Sequence, residues 1–144
     1  MNKIYETNYE LWLDQQIENL RQGVFEQLDI PHLVEELEGL NKSNQRELES
    51  YLIGLLTHLL KWEYQPHERS GSWSGSIKNS RKRIAKLFKD QPSLKNYLPE
   101  VLSEAYVDAK VWASEETGIK VTLFPEECPY QINDQILSED WLPD

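Results

Sequence analysis

The sequence predicts an all-α protein, an antiparallel helical bundle of about four main helices with a coil-rich C-terminal tail. Apolar residues recur every three or four positions in four segments separated by Gly and Pro. No segment alternates strongly enough to require a sheet, and 120–124 is the only candidate strand. A chain of 144 residues buries about 68–70% of its unfolded surface. We therefore expect one domain over 1–144, with 1–119 forming the bundle and 120–144 packed on it.

The first predicted helix follows a possible capping box, because Thr7 and Glu10 have the spacing of reciprocal caps. Gly23 supplies its end, since glycine is the usual residue just beyond a helix. The apolar and amide side chains between these signals fall on one helical face: Tyr9, Trp12, Leu13, Gln16, Ile17 and Leu20.

The second predicted helix is long and runs from a cap at Asp29 to the break at Pro66. Pro31 fits its first turn, where a missing N–H costs nothing. The weak helix formers at 41–44 predict a kink or short break. Apolar residues surround the helix between 51 and 60, so this part is expected to be central and covered on more than one side.

Two further helices and the tail complete the prediction. Residues 68–75 are expected to be loop, with the third helix following and ending before Pro92. A cap at Ser93, together with Pro99, begins the fourth helix, and Gly118 ends it. Three prolines make the tail mostly extended, with one short helix near 131–137.

Composition and charge limit the functional classes. The net charge of −10 opposes indiscriminate binding to nucleic acid or anionic membrane. Charge is segregated, because residues 61–89 carry 8 basic and 2 acidic side chains. The only cysteine, Cys128, cannot form an internal disulfide, and the first twelve residues lack the apolar core of a signal peptide. The apolar run 51–60 is too short to cross a bilayer. We expect a cytoplasmic protein without membrane contact.

The basic segment is a candidate anion-binding surface. Its cations could bind phosphates while the neighbouring Trp73 stacks on a base. The favoured alternative is that they neutralise acidic faces of neighbouring helices, which makes nucleic acid a weaker partner prediction than protein. The candidate anion-binding residues are Lys78, Lys82, Arg83 and Lys86.

A polar cluster is predicted inside the bundle. Arg81 lies on the apolar stripe of its helix, so we expect it to point inward and to pair with a carboxylate. Glu36 is the first choice of partner because it lies at the edge of a buried stripe. A structural ion pair between helices is the favoured interpretation, and an acid–base pair or metal site is the alternative. The candidate members are Glu35, Glu36, His58, Arg81 and Asp108.

His58 has leucines on both sides and is expected to be a core histidine bonded to a carboxylate or carbonyl. The positions three and four residues away hold no second metal ligand, and no HExxH or ExxH pattern occurs. The sequence therefore predicts no metal and no cofactor, and it identifies no catalytic residue. Lys61, Trp62 and Trp73 flank the helix break and form a candidate surface or loop site.

Several motifs together carry a family resemblance. These are Trp12, Leu28–Asp29, EELE at 35–38, HLLKW at 58–62, Trp73 with Ile77 and Arg81, PSL at 92–94, Ala105–Tyr106 with Ala109, and FPEECPY at 124–130. In this combination the chain resembles the bacterial family called domain of unknown function 29 over nearly its whole length. Tyr130 stands where we expect the family to favour Trp. The resemblance implies a small all-helical bacterial protein and brings no activity, substrate or catalytic residue.

The sequence does not establish a function, and three hypotheses from different classes remain. The first is a non-enzymatic interaction or regulatory module that recognises another protein, because no catalytic motif is present and charge is segregated. The second is a metal-assisted enzyme using His58 with Glu35 or Glu36. The third is a nucleic-acid-binding adaptor working through 78–89. The oligomeric state stays open, since five Trp serve a core or an interface equally well.

Overall fold

The computed structural model describes residues 3–144, and every regular element in this range is helical. The prediction of an all-α protein with about four main helices is confirmed. The candidate strand at 120–124 is wrong, because this segment contains a 3₁₀ turn. The α-helices are α1 (Ile4–Thr7), α2 (Tyr9–Gln22), α3 (Ile30–Tyr64), α4 (Gly71–Asp90) and α5 (Leu98–Thr117). 3₁₀ turns cover Phe25–Gln27, Pro66–Glu68, Pro92–Tyr97 and Val121–Leu123, and a π-helical turn covers Ile132–Ile136.

The chain divides into two compact units, Met1–Ser43 and Asn44–Asp144. Helix α3 contributes residues to both units and is not interrupted at 41–44, where a kink or break was predicted. Each weak helix former costs only about 0.5 kcal/mol relative to alanine, which is too little to stop a helix stabilised on both sides. The grouping of the whole chain into a single domain stays a prediction.

In the first unit, helix α2 begins one residue later than the predicted cap. Asn8, not Thr7, is the N-cap, and its Oδ1 accepts a hydrogen bond of 3.2 Å from the backbone N–H of Leu11. Thr7 belongs to α1 and donates its hydroxyl to the carbonyl of Lys3. Gly23 ends α2 with φ 72°, a left-handed conformation that glycine adopts without a Cβ penalty.

Helix α3 begins as predicted after Asp29. The Asp29 carboxylate accepts a hydrogen bond from the backbone N–H of His32, which is a helix cap. The backbone N–H of Asp29 itself donates to Oε1 of Gln16 at 2.8 Å, and Gln16 is only 2% exposed. The amide on the α2 stripe therefore positions the residue that caps α3.

In the second unit, two helix starts differ from the predictions. Helix α4 begins at Gly71, inside the predicted loop, because Oγ of Ser70 accepts a hydrogen bond from the backbone N–H of Trp73. The 3₁₀ turn Pro92–Tyr97 precedes α5, so Ser93 lies inside that turn and caps no helix. The ends are as predicted, since α4 stops before Pro92 and Gly118 ends α5 with φ 80°.

The second unit has one apolar core built from α3, α4, α5 and the tail. The predicted covering of 51–60 on several sides is confirmed, because Leu52, Leu55, Leu56, Leu59 and Leu60 are fully buried. The tail adds its own buried side chains, which are Phe124, Tyr130 and Ile136. Within residues 3–144, no helix has both the length and the apolar character needed to cross a membrane.

Candidate functional site

Arg81 points inward as predicted, but its partners are not carboxylates. It is 7% exposed, and its Nε donates to the carbonyl of Ile136 at 2.8 Å while Nη2 donates to the carbonyl of Gln135 at 2.9 Å. These carbonyls lie at the end of the π-helical turn, where a cation is favoured by the peptide dipoles. Burial lowers the pKa of Arg81, and the charge of Asp140 opposes this effect. The predicted Arg81–Glu36 pair is therefore wrong.

His58 is half-buried on α3 and has a local partner. Its Nδ1 lies 2.8 Å from the carbonyl oxygen of Gly54, one helical turn earlier. The predicted bond to a carboxylate or carbonyl is met by the carbonyl alternative. This histidine is therefore accounted for within its own helix.

Glu36 belongs to a cluster at the start of the chain. Tyr5 donates its hydroxyl to Oε1 of Glu36 at 2.5 Å, and Tyr9 donates to Oε2 at 2.7 Å. These two hydrogen bonds stabilise the carboxylate and lower the pKa of Glu36, while the same bonds raise the pKa of each tyrosine. Both carboxylate oxygens are therefore occupied by phenol groups.

Asp29 and His32 complete this cluster. Oδ2 of Asp29 lies 2.7 Å from Nδ1 of His32 and accepts a hydrogen bond of 2.9 Å from Nε1 of Trp12. Burial alone would raise the pKa of Asp29, and the hydrogen bonds from His32 and Trp12 outweigh it and lower the pKa. The His32 ring stacks on Tyr5 with centroids 3.9 Å apart. We call the set Tyr5, Tyr9, Trp12, Asp29, His32 and Glu36 the aromatic–acidic cluster.

The other predicted carboxylates are on the surface. Glu35 is exposed, and its charge helps to raise the pKa of Tyr5. Asp108 is also exposed, so its assignment to a polar core is wrong. It lies close enough to Glu49 to help raise the pKa of that carboxyl, after burial and Glu104. Across residues 3–144, no three His, Cys, Asp or Glu side chains are placed to hold a metal ion.

Lys61 and Trp73 come together across the helix break, as their inclusion in one candidate site requires. The Lys61 ammonium lies 4.6 Å from the centroid of the Trp73 ring and 3.4 Å from a carboxylate oxygen of Glu116. Trp62 takes a different cation, because the guanidinium of Arg69 lies 5.0 Å from its ring. Arg69 also donates to the carbonyl of Trp62, which ties the connection between α3 and α4 to the end of α3.

The candidate anion-binding residues Lys78, Lys82, Arg83 and Lys86 are all exposed on α4. A different part of the same helix lines a cleft of about 650 Å³ with the turn before α5 and the tail. The cleft is lined by the cations Arg81, Lys89 and Lys95, by Asn133, and by the apolar residues Ile84, Ala85, Phe88, Leu98, Pro99, Ile132 and Leu137.

Exposed apolar side chains are concentrated in the first unit. Nine of the fourteen exposed large hydrophobic residues in the described chain lie between 9 and 40. Helix α3 carries Ile30, Leu33, Leu37 and Leu40 with the alternating spacing of three and four residues that is typical of coiled-coil contacts. We call these four residues the N-terminal apolar stripe. Ile30, Leu37 and Leu40 are 54%, 64% and 59% exposed, and Leu33 is partly buried.

Sequence reasoning missed most of the aromatic–acidic cluster. His32 is not among the candidate site residues predicted from the sequence, yet it lies between Asp29 and Tyr5. The i, i+3 spacing of Asp29 and His32, and the i, i+4 spacing of Tyr5 and Tyr9, are signals that could have indicated it. Of the two lysines of the cleft, Lys89 belongs to the predicted basic segment 78–89, whereas Lys95 lies outside it and was missed.

These features define an all-α protein with two notable regions. The first unit holds the aromatic–acidic cluster, whose carboxylates are hydrogen-bonded within the cluster, and the second unit holds a basic cleft with apolar walls. Its sequence matches a known family profile over residues 4–142. The chain belongs to the family described as Domain of unknown function DUF29, which confirms the resemblance. No curated protein and no solved structure matches the chain.

Proposed function

We propose that the protein is a non-enzymatic interaction module, and that the N-terminal apolar stripe binds a basic amphipathic helix of another protein. The observation that carries this proposal is the exposure of Ile30, Leu37 and Leu40 at coiled-coil spacing on an ordered helix. Apolar side chains in such a row favour a partner helix, because they pack as knobs between the side chains of a facing helix.

The spacing continues along α3 into positions that are covered. Leu48, Leu52, Leu55 and Leu59 are fully buried in the second unit, where the helix meets its own core. The N-terminal apolar stripe lies on the same helix, but Ile30, Leu37 and Leu40 are exposed to solvent. It therefore resembles a helix–helix contact from which one member is absent.

Charge favours a basic partner. Residues 3–43 carry nine acidic and three basic side chains, a net charge of −6 with neutral histidine. Two copies of this segment would repel one another, whereas a helix with flanking Lys or Arg would be attracted. We place this interaction in the bacterial cytoplasm, which is supported by the family resemblance and by a single cysteine with no internal partner.

The test uses two synthetic 21-residue amphipathic helices with the same leucine face, one flanked by Lys and the other by Glu. Binding to the full chain is measured by calorimetry at physiological salt. We expect the Lys peptide to bind at least ten times more tightly than the Glu peptide. Leu37→Gln should weaken Lys-peptide binding at least tenfold, whereas Leu123→Gln, which changes a leucine of equal exposure in the second unit, should not.

Two outcomes contradict the proposal. Equal binding of the two peptides would show that charge does not select the partner. A stable dimer of the wild-type chain that dissociates in Leu37→Gln would show that a second copy, and not a basic helix, covers the stripe. Sedimentation velocity of the wild-type chain and of Leu37→Gln would detect such a dimer and its dissociation.

A further inference from the structure

We propose that the cleft between α4, the Pro92–Tyr97 turn, α5 and the tail binds a small amphipathic anion, in which a carboxylate or phosphate group is attached to a hydrocarbon or aromatic body. The site lies entirely in the second unit and is independent of the helix-binding proposal. Its volume of about 650 Å³ is within the usual range of small-molecule sites, about 300–1,000 Å³.

The charge of the lining specifies the sign of the ligand. The chain has 25 acidic and 15 basic residues, yet the cleft is lined by three cations and by no carboxylate. Within residues 3–144, neither Lys89 nor Lys95 forms an ion pair. Arg81 donates its two hydrogen bonds to neutral backbone carbonyls. The charge of Asp140 acts on Arg81, which also lines a neighbouring depression together with Glu139 and Asp140. An anion in the cleft would therefore meet the charges of Lys89 and Lys95, which no ion pair within the described residues neutralises.

The walls specify the body of the ligand. The apolar lining comes from α4, α5 and the tail. Ala85 and Pro99 are exposed, Ile132 and Leu137 are partly exposed, and below them lies a buried floor of Ile84, Phe88 and Leu98. The Lys95 ammonium lies 5.8 Å from the centroid of the Phe88 ring, so a cation is positioned beside an apolar wall. A free inorganic anion would leave these walls in water, whereas an amphipathic anion would cover them.

The tail gives the cleft its fourth side through an uncommon backbone conformation. Ile136 and Leu137 donate their N–H groups to the carbonyls of Gln131 and Ile132, five residues earlier, at 2.9 Å each. Such π-helical turns are rare and frequent at functional sites. Here the turn brings Ile132 and Asn133 to the cleft, while Arg81 holds the end of the turn. Arg81 therefore positions the tail segment that forms this wall of the cleft.

The experiment titrates the full chain with decanoate, decyl phosphate, decanol and inorganic phosphate, with all amphiphiles kept below micelle formation. Calorimetry should show binding of one or both ten-carbon anions, and at least tenfold weaker binding of decanol and of inorganic phosphate. The tighter of the two anions then identifies the head group. Failure of both anions to bind at millimolar concentration, or equal binding of decanol, overturns the proposal.

Variants locate the binding. Lys89→Gln/Lys95→Gln should weaken binding of the preferred anion about tenfold, because two exposed charge contacts are lost. The control Lys82→Gln/Lys86→Gln makes the same change in charge on the same helix outside the cleft and should change affinity less than twofold. Ala85→Trp fills the cleft without changing charge and should abolish binding. An equal effect of the control pair overturns the proposal, as does tighter, competitive binding of an acidic heptapeptide, which would assign the cleft to a protein segment.

Discussion

Replacing Arg81 by methionine tests whether one guanidinium holds the C-terminal tail. The variant keeps an unbranched apolar side chain but removes the donors to the carbonyls of Ile136 and Gln135, at 2.8 and 2.9 Å. Hydrogen bonds from a charged donor contribute about 1.5–3 kcal/mol each, which gives about 3–6 kcal/mol for the pair. Relief from burying the charge offsets part of this loss. We therefore expect a decrease of about 2–4 kcal/mol in the free energy of unfolding.

Urea unfolding measures this decrease, and Arg83→Met is its control. Arg83 lies on the same helix and is exposed, so its replacement should change the free energy of unfolding by less than about 0.5 kcal/mol. Hydrogen exchange adds a local readout, since the amides of Ile136 and Leu137 form the π-helical turn. Their protection should fall in Arg81→Met more than that of α3 amides. Equal unfolding midpoints for both variants, or unchanged protection of the tail amides, would refute the reasoning.

Three further predictions concern packing, backbone conformation and acid sensitivity. Leu55→Ala removes a fully buried side chain and should cost about 2–5 kcal/mol in urea unfolding; a cost below 1 kcal/mol would contradict the assigned core. Gly118→Ala should destabilise the protein by about 1 kcal/mol because φ is 80°. Gly75→Ala, in α4 with open space around the added methyl, should instead stabilise it by about 0.5–1 kcal/mol. A change of the same sign in both variants would be evidence against these backbone conformations. Since the folded-state pKa of Glu36 is below the unfolded value of 4.5, its contribution to stability is complete above that pH and is lost as the pH falls through the lower pKa. Tyr5→Phe should flatten this dependence in acid titrations followed by circular dichroism, and an unchanged acid midpoint would argue against the hydrogen bond.

Sequence reasoning predicted the elements whose signals are local. Pro92 and Gly118 marked helix ends because a missing N–H and a left-handed φ act on the residue itself. The inward direction of Arg81 followed from helical spacing alone. The start of α4 was missed because Ser70 competes as a cap with several later serines, and spacing does not rank them.

Partner choice was predicted less well because it depends on contacts between distant segments. Arg81 required acceptors, and carbonyls of an irregular turn fifty-five residues away serve as well as a carboxylate. The pattern of side chains in a sequence does not indicate which backbone carbonyl will accept a hydrogen bond. The prediction that Glu36 is the partner of Arg81 was therefore wrong. Glu36 instead accepts hydrogen bonds from Tyr5 and Tyr9, whose hydroxyls stabilise the carboxylate without any cation.

The contact of Arg81 with main-chain oxygens has a consequence for how the tail can vary. Every residue type presents the same carbonyl, so substitutions at Gln135 can leave the guanidinium its acceptor. An insertion or deletion between Phe124 and Ile136 would instead place the carbonyl of a different residue next to the guanidinium and bring a different side chain into the core. We therefore expect members of this family to differ less in the length of that segment than in its amino-acid sequence.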